Sequence, residues 1–303
     1  MTNAAEERIA DIVRLAAEHD LVIDRSSVVL NELGLDFRVA IVREERGTPW
    51  VLRIPRRDDV MARADVEGRL LRFVAPQLDV AVPDWQIHTP ELIAYPLLPG
   101  TPGLELSSQG EPVWHADVSS NAFARTLGDL LAQLHTTDAQ QARATGIDVR
   151  SPAEVRQAWR DDMATVAAEF QIAPDLAERW DAWLRDDTYW PDHSVVTHGE
   201  IYPGHTLVEE NDITAVIDWT TAEVGDPARD FVFHHATASP AAFDLTLQRY
   251  VAGGGQIWSG FADHCAHRYS ASPVSYGLYA LLTDDEEHRQ AAAAQLNPSQ
   301  SIS

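Results

Sequence analysis

The chain is poor in cysteine, in basic side chains and in long apolar runs. Cys265 is the only cysteine, so an intrachain disulfide cannot form and a thiolate-rich metal site is excluded. No stretch approaches the roughly 18 apolar residues of a membrane helix. The first ten residues carry acids where a secretory leader has an apolar segment. These features predict a cytoplasmic protein with no membrane partner.

Basic residues are strongly outnumbered, because 23 lysines and arginines face 47 acids and give a formal net charge of -24. Such a charge repels phosphodiester backbones, so nucleic acid is not expected as a partner. The same field attracts a cationic ligand or a metal-bound nucleotide, although many proteins are acidic only for solubility. The length of 303 residues permits one large domain or two fused lobes.

The N-terminal third alternates between strand and helix patterns. Apolar residues at helical spacing predict helices over 6–18 and 58–74, the second with Asp58 and Asp59 as caps. Apolar and β-branched runs predict strands within 28–42, 50–54, 82–88 and 92–97. The pattern predicts a small antiparallel sheet with helices.

Beyond residue 111 the chain is mainly helical in pattern. Helical spacing covers 122–135, 152–170, 174–185, 240–252 and 261–282, and short strand-like runs cover 194–197, 206–208 and 213–217. Glycine, proline and serine in 99–111 predict irregular structure, and the polar tail after Asn297 is expected to fray. We therefore predict an α+β protein with two lobes, 1–97 for nucleotide binding and 98–303 for catalysis and acceptor binding.

The strongest local pattern lies in 195–219. Glu200 follows His198 by two positions, His205 follows Glu200 by five, and Asp218 ends the next apolar run. Kinases have this order: an acid that meets the acceptor hydroxyl, a metal-binding side chain, and an aspartate after a strand. The order suits the chemistry because metal must neutralise the triphosphate while the hydroxyl is aligned for in-line attack.

This segment resembles the His-Gly-Asp loop of the aminoglycoside phosphotransferase superfamily and is most similar to macrolide 2'-phosphotransferases, which also have histidine at the position of His205. Further similar segments follow in the same order over about residues 28 to 280, at 31–36, 50–57, 82–85, 217–219 and 226–230. The resemblance implies a two-lobed, protein-kinase-like fold and magnesium. It also implies that GTP, in preference to ATP, donates a phosphate to the 2'-hydroxyl of a macrolide amino sugar. This reaction would confer macrolide resistance. We expect a monomer.

The resemblance also implies roles for individual residues. Glu200 becomes the catalytic base and His198 a second catalytic residue in the same loop, while Asp218 and His205 become the metal ligands. Arg53, with Arg56 and Arg57 as alternatives, grips phosphate and pairs with Glu67 on the following helix. The nucleotide is further expected to contact a loop and a hinge: Asn31, Leu33, Gly34 and Asp36 in the loop, and Tyr95, Pro96 and Leu97 in the hinge.

Glu200 departs from the superfamily, which usually has aspartate there. One added methylene moves the carboxylate by more than the roughly 0.5 Å tolerance of a preorganised site. An active enzyme with Glu200 as base is our hypothesis, and a pseudokinase or nucleotide-dependent binding module is the alternative. A zinc hydrolase is disfavoured because the spacing is not His-Glu-x-x-His.

Asp226 and Asp230 flank Pro227 at the start of a predicted helix. Acids favour that end of a helix, so a structural role is expected for both. In the superfamily this segment supports the catalytic loop.

A macrolide is large and apolar and carries one dimethylammonium group, so its site should combine an apolar wall with carboxylates. Aromatic residues near and after the catalytic loop are candidates, although aromatic residues at helical spacing are also typical of a core: Tyr202, Phe231, Phe233, His234, Tyr276 and Tyr279. The alternative acceptor is another amino alcohol, such as an aminoglycoside or a choline-like metabolite. A polycation requires a groove dense in acids.

Overall fold

A computed structural model describes residues 3–32, 36–57, 59–107 and 109–298. The chain divides into two compact units. The first unit combines Met1–His115 with Gly204–Thr220, and the second combines Ala116–Pro203 with Thr221–Ser303. The predicted boundary after Leu97 stays a prediction of where the nucleotide-binding and acceptor-binding parts divide.

The helices of the described residues follow in chain order. They are α1 (Asn3–Glu18), α2 (Val60–Val74), α3 (Asn121–His135), α4 (Ala139–Arg143), α5 (Pro152–Glu169), α6 (Pro174–Arg185), α7 (Val232–Thr237), α8 (Pro240–Ala252), α9 (Phe261–Ser270), α10 (Ser272–Thr283) and α11 (Glu286–Leu296). Short 3-10 turns lie at Arg25–Ser27, Ala75–Gln77, Asp187–Tyr189 and Pro227–Phe231.

The strands of the described residues are short. They are β1 (Val29–Asn31), β2 (Phe37–Arg43), β3 (Pro49–Pro55), β4 (Ile87–His88), β5 (Ile93–Pro96), β6 (Thr101–Pro102), β7 (Leu104–Leu106), β8 (Pro112–Trp114), β9 (Asp148–Val149), β10 (Val195–Thr197), β11 (Thr206–Glu209), β12 (Asp212–Val216) and β13 (Glu223–Gly225).

The first unit contains an antiparallel sheet in the order β1-β2-β3-β5-β4. Successive side chains of a strand point to opposite faces, so neighbouring residues of β3 enter different cores. Leu52 packs in a cluster with Ile12 of α1, whereas Val51 packs in a cluster with Val60 and Ala64 of α2. One helix therefore covers each face, and the predicted sheet with helices is confirmed.

A second sheet in the first unit has the order β12-β11-β6. Strands β11 and β12 form a hairpin in which Thr206 pairs with Val216, and Leu207 of β11 also pairs with Pro102 of β6. The segment after the predicted hinge is thereby attached to the hairpin that carries His205 and Asp218. Strands β7 and β8 form a separate hairpin.

The second unit is mainly helical, as predicted. One hydrophobic cluster of this unit contains Trp180, Trp183 and Trp190 packed with residues of α5, α10 and α11. A three-stranded sheet, β10-β13-β9, leads into the catalytic loop at His198. In the described ranges, no helix combines the length and apolarity that crossing a bilayer requires.

Several predicted elements differ from the structure. In 82–88 only β4 is a strand, and 99–111 is not irregular throughout because it contains β6 and β7. The predicted helix 261–282 is two helices, since Pro273 in the first turn of α10 lacks the N–H that a continuous helix requires. Asp59 occupies the N-cap of α2, but its side chain makes no capping hydrogen bond and pairs with Arg57 instead. Asp58 and the tail after Pro298 lie outside the described residues.

Gly128 sets the close approach of α3 to α8. A Cβ atom there would lie 2.5 Å from the backbone oxygen of Thr246 and 2.6 Å from Cβ of Arg249. We expect Gly128→Ala to lower the free energy of unfolding by about 1–3 kcal/mol through overpacking, although alanine is the better helix former by about 1 kcal/mol. Urea unfolding measures the change.

Arg125→Ala, on the exposed face of the same helix, is the matched control and should change stability by less than about 0.5 kcal/mol. A Gly128→Ala variant as stable as the wild type would show that α3 and α8 can separate without loss.

Candidate active site

Arg53 and Glu67 form a buried ion pair in the first unit. Arg53 Nη1 donates to Glu67 Oε1 at 2.8 Å, and the guanidinium carbon lies 4.3 Å from the centroid of the Phe37 ring. Arg53 is on the same face of β3 as Val51, which is the face covered by α2 and hence by Glu67. Burial disfavours the charged form, but the attraction and hydrogen bond of Glu67, together with the attraction of Tyr95 and Asp218, outweigh burial and raise the pKa of Arg53.

A cavity of about 540 Å³ opens beside this pair, within the first unit. Six of the residues predicted to bind nucleotide or metal line it: Asn31, Asp36, Arg53, Tyr95, Leu97 and Asp218. Glu67, the partner of Arg53, is not among the lining residues, and neither are Pro96 and His205. Leu33 and Gly34 lie outside the described residues. The residues that sequence reasoning missed include Leu207, Ile217 and Glu105.

The lining is mixed in character. Apolar side chains of the strands, among them Val39, Val51 and Ile217, form most of the wall, and Arg53 and Asp218 provide charge. Burial raises the pKa of the Tyr95 hydroxyl to about 12, so the hydroxyl stays protonated at neutral pH. An apolar slot with charged groups suits a flat base with an attached phosphate chain.

The hairpin register brings His205 and Asp218 together. Thr206 pairs with Val216, and Ile217 N donates to the backbone oxygen of His205 at 3.0 Å. His205 Nε2 consequently lies 3.5 Å from Asp218 Oδ2. Asp218 has a φ of +62°, an uncommon conformation for a residue with a side chain, and its Oδ1 accepts from Thr220 Oγ1 at 2.6 Å.

This pair fits a magnesium ion that also binds a ligand. Within the described ranges, no group of three or more histidine, cysteine, aspartate or glutamate residues could hold a metal. Mg²⁺ usually keeps several waters and binds through one or two carboxylates plus substrate phosphates, so a complete protein cage is not required. The carboxylate of Asp218 is partly exposed, and the imidazole of His205 lies beside it.

The catalytic loop, residues 198–203, lies in the second unit and begins with a histidine and a glycine. Gly199 has a φ of +90°, and a Cβ atom there would lie 2.4 Å from the backbone oxygen of Thr221, so only glycine fits. His198 is buried, and its Nδ1 accepts from the backbone N–H of Glu200 at 3.3 Å. His198 thus orients the backbone that carries Glu200.

Asp230 holds the start of this loop. Its two carboxylate oxygens accept the backbone N–H groups of His198 at 2.8 Å and of Gly199 at 2.7 Å. His135 Nε2 lies 3.1 Å from the same carboxylate, and the other ring nitrogen lies 2.9 Å from the Tyr250 hydroxyl. Burial raises the pKa of Asp230, but the hydrogen bond and charge of His135 and the loop N–H groups outweigh burial and lower it.

Asp226 has a parallel arrangement. Trp183 Nε1 donates to His264 Nδ1 at 2.9 Å, so the opposite nitrogen of that ring carries the proton and donates to Asp226 Oδ2 at 2.7 Å. Arg268 Nη1 donates to the same oxygen at 2.6 Å. Against the effect of burial, His264 and Arg268 lower the pKa of Asp226. Both aspartates are thus buried supports of the loop region, the structural role expected for them.

A cavity of about 470 Å³ in the second unit contains Glu200. Of the predicted acceptor residues, Tyr202 and Phe233 line it, and their ring centroids are 5.7 Å apart. Trp159 and Tyr269 add aromatic surface. Arg229 and Arg268 also line it, and each is paired with a buried acid, Arg229 Nη1 lying 2.9 Å from Glu223 Oε1.

The other four predicted acceptor residues lie elsewhere in the second unit. Phe231 and His234 are buried, Phe231 against Tyr250 and His234 beside Thr246. Tyr276 and Tyr279 pack against His288. None of the four is among the residues that line the cavity.

The chain is similar to known proteins over almost its whole length. The model of the phosphotransferase enzyme family matches residues 27–264. The structure of macrolide 2'-phosphotransferase MphH from Brachybacterium faecium, an apoenzyme, is 60% identical, covers 96% of this chain and 98% of its own, and superposes with a TM-score of 0.93. A macrolide 2'-phosphotransferase type I is 37% identical over 98% of both chains, with a TM-score of 0.89. Uncharacterized protein YcbJ of Bacillus subtilis (strain 168) is 43% identical, covering 95% of this chain and 96% of its own. The α+β, kinase-like fold predicted from sequence is confirmed.

The Arg53–Glu67 pair should be needed for stability. Glu67→Ala leaves a buried guanidinium without its counter-charge, and we expect the free energy of unfolding to fall by about 3 kcal/mol. Asp65→Ala, on the exposed side of the same helix, breaks only a surface contact with His88 and should cost less than about 1 kcal/mol. Denaturant unfolding of both variants checks this, and equal losses would contradict it.

The carboxylate of Asp230 should stabilise the fold in a pH-dependent way. Asp230→Asn places an amide N–H₂ opposite a loop N–H, so two donors face each other. We expect the free energy of unfolding to fall by about 3 kcal/mol at pH 7. Since the folded pKa is lowered, the stabilisation is complete above the ordinary value of 3.8 and is lost as the pH falls towards the folded pKa. The difference between variant and wild type should therefore shrink below pH 3.8 in unfolding experiments. Asp263→Asn, at an exposed site on α9, is the control, and a difference that grows in acid would refute the assignment.

Proposed function

Because the chain belongs to the phosphotransferase enzyme family, we propose that it transfers the γ-phosphate of GTP to the 2'-hydroxyl on the amino sugar of a macrolide and so confers resistance. Phosphoryl transfer to an alcohol follows from family membership and from the likeness to two macrolide 2'-phosphotransferases. The macrolide acceptor, the preference for GTP and the role in resistance are proposals, as are a monomeric state and a cytoplasmic location. The 60% identity with MphH over nearly the whole chain carries the choice of acceptor.

The cavity of the first unit is the proposed nucleotide site. Arg53 contacts phosphate oxygens, and Glu67 holds its guanidinium in place. Asp218 and His205 would hold Mg²⁺, which when bound neutralises phosphate charge. The base occupies the apolar slot beside the backbone of Tyr95 to Leu97.

Glu200 is the proposed base in the second unit. It accepts a hydrogen bond from the acceptor hydroxyl, orients the oxygen for attack and takes the proton late in the transfer. Asp230 acts through the loop backbone, since its two hydrogen bonds fix the residues immediately before Glu200. The backbone at Glu200 therefore has little freedom to shift, even though its side chain is longer than that of aspartate.

The lining of the second cavity favours a macrolide over a polycationic acceptor. Among the described residues that line it, Glu200 is the only acid, whereas two arginines and several aromatic residues are present. An aminoglycoside with several ammonium groups would meet Arg229 and Arg268 with too few carboxylates to bind them. A macrolide has one amine and a broad apolar ring, which suits one carboxylate and an aromatic wall.

Incubation with erythromycin, GTP and Mg²⁺ tests the proposal. We expect mass spectrometry to detect one added phosphate, and we expect Glu200→Gln and Asp218→Asn, which keep side-chain size, to lower kcat at least about 100-fold. Glu209→Gln, an exposed acid on β11, is the matched control and should retain activity.

Unchanged turnover in Glu200→Gln would remove the base assignment while leaving the reaction. Nucleotide binding without transfer to any macrolide or aminoglycoside would favour the pseudokinase alternative. Transfer to kanamycin but not to erythromycin would overturn the acceptor class.

A further inference from the structure

We propose that Glu105 binds the ribose hydroxyls of the donor nucleotide. Glu105 is a cavity residue that the sequence pattern did not single out, and its role rests on the proposed use of the 540 Å³ cavity as the nucleotide site. The recognition would be through charge-assisted hydrogen bonds, because an ionised carboxylate only accepts and a ribose 2',3'-diol offers two donors.

Glu105 is held in place by its neighbours in the first unit. Gly103 N donates to the backbone oxygen of Thr206 at 2.9 Å, and His115 N donates to the backbone oxygen of Gly103 at 2.9 Å. The first bond fastens the start of the β7–β8 hairpin to strand β11, and the second joins the two ends of the hairpin. His115 Nε2 lies 3.0 Å from Glu105 Oε2, which orients the carboxylate and leaves Oε1 as a site for a ligand donor.

The charges in the cavity determine which part of the nucleotide can meet Glu105. Arg53 and the Asp218–His205 pair provide the groups that suit phosphates and their metal. Asp36 also lines the cavity, and its carboxylate is paired with Arg57. A further carboxylate facing the triphosphate directly would repel it. Glu105 therefore suits an uncharged, hydrogen-donating part of the ligand, which is either the ribose or the base edge.

The exposure of Glu105 favours the ribose. Its side chain is 50% exposed, and it sits on a hairpin whose neighbouring side chains Leu106 and Trp114 are also exposed. The apolar slot that suits a base is built from strand residues, including Val51 and Ile217. A half-exposed carboxylate at the cavity mouth matches hydroxyl groups that remain in contact with water, whereas a recognised base edge would be enclosed.

Equilibrium binding of nucleotides to the full chain tests the proposal without any acceptor. With Mg²⁺ present, we expect the wild type to bind 2',3'-dideoxy-GTP about tenfold more weakly than GTP, as loss of a hydrogen bond to a charged group predicts. Glu105→Gln keeps an acceptor oxygen but loses the charge that strengthens the bond, so it should bind GTP about tenfold more weakly and should distinguish the two nucleotides less than about threefold. Glu111→Gln, an exposed acid on the same hairpin that does not line the cavity, should behave as the wild type.

Three outcomes would overturn the inference. Equal wild-type affinity for GTP and its dideoxy analogue would exclude ribose recognition. Full discrimination retained in Glu105→Gln would assign it to another residue. ITP lacks the 2-amino group of GTP. If Glu105→Gln lost the preference for GTP over ITP but kept the ribose discrimination, Glu105 would be assigned to the base. Each leaves the proposed phosphotransfer standing, whereas a wild type that binds no nucleotide would overturn the nucleotide site itself.

Discussion

The second unit depends on one buried carboxylate that accepts two backbone N–H groups. Asp230 takes the amides of His198 and Gly199, and without it both donors would lack their hydrogen-bond partner beside the loop that carries Glu200. The loop cannot hold this shape through its own sequence alone, because Gly199 has a backbone conformation that is unfavourable for other residues. The glycine makes the turn possible, and the aspartate makes it the stable conformation.

Burying such a carboxylate is unfavourable unless every oxygen has a partner. The chain contains two such buried and fully partnered carboxylates within five residues. Asp226 and Asp230 each accept from a histidine, and each histidine in turn contacts a buried aromatic side chain with a polar atom, Trp183 or Tyr250. Hydrogen bonds of this kind strengthen one another where the dielectric is low. The 3-10 turn between the two acids is thus fixed at both ends, and it carries Arg229 into the wall of the cavity that contains Glu200.

Local periodicity predicted most helices and the first sheet, whereas the Arg53–Glu67 pair was implied by the resemblance to kinases. Periodicity could not distinguish aromatic residues that line the cavity from aromatic residues of the core. Phe231 and Phe233 are two positions apart, yet the first is fully buried and the second lines the cavity. Glu105 was missed for a different reason. Its position depends on the pairing of β6 with β11 about a hundred residues later, and no local pattern carries that information.

Asp218 is the one residue other than glycine with a positive φ among the described residues that line either cavity. A conformation of this kind costs on the order of 1 kcal/mol and persists only when the surroundings enforce it. Here the hairpin register enforces it from one side, through the bond from Ile217 N to His205 O, and Thr220 holds the carboxylate from the other. A relaxed backbone at this position would turn the side chain away from the imidazole of His205. The strain is therefore the cost of keeping carboxylate and imidazole side by side, as the proposed site for one divalent ion requires.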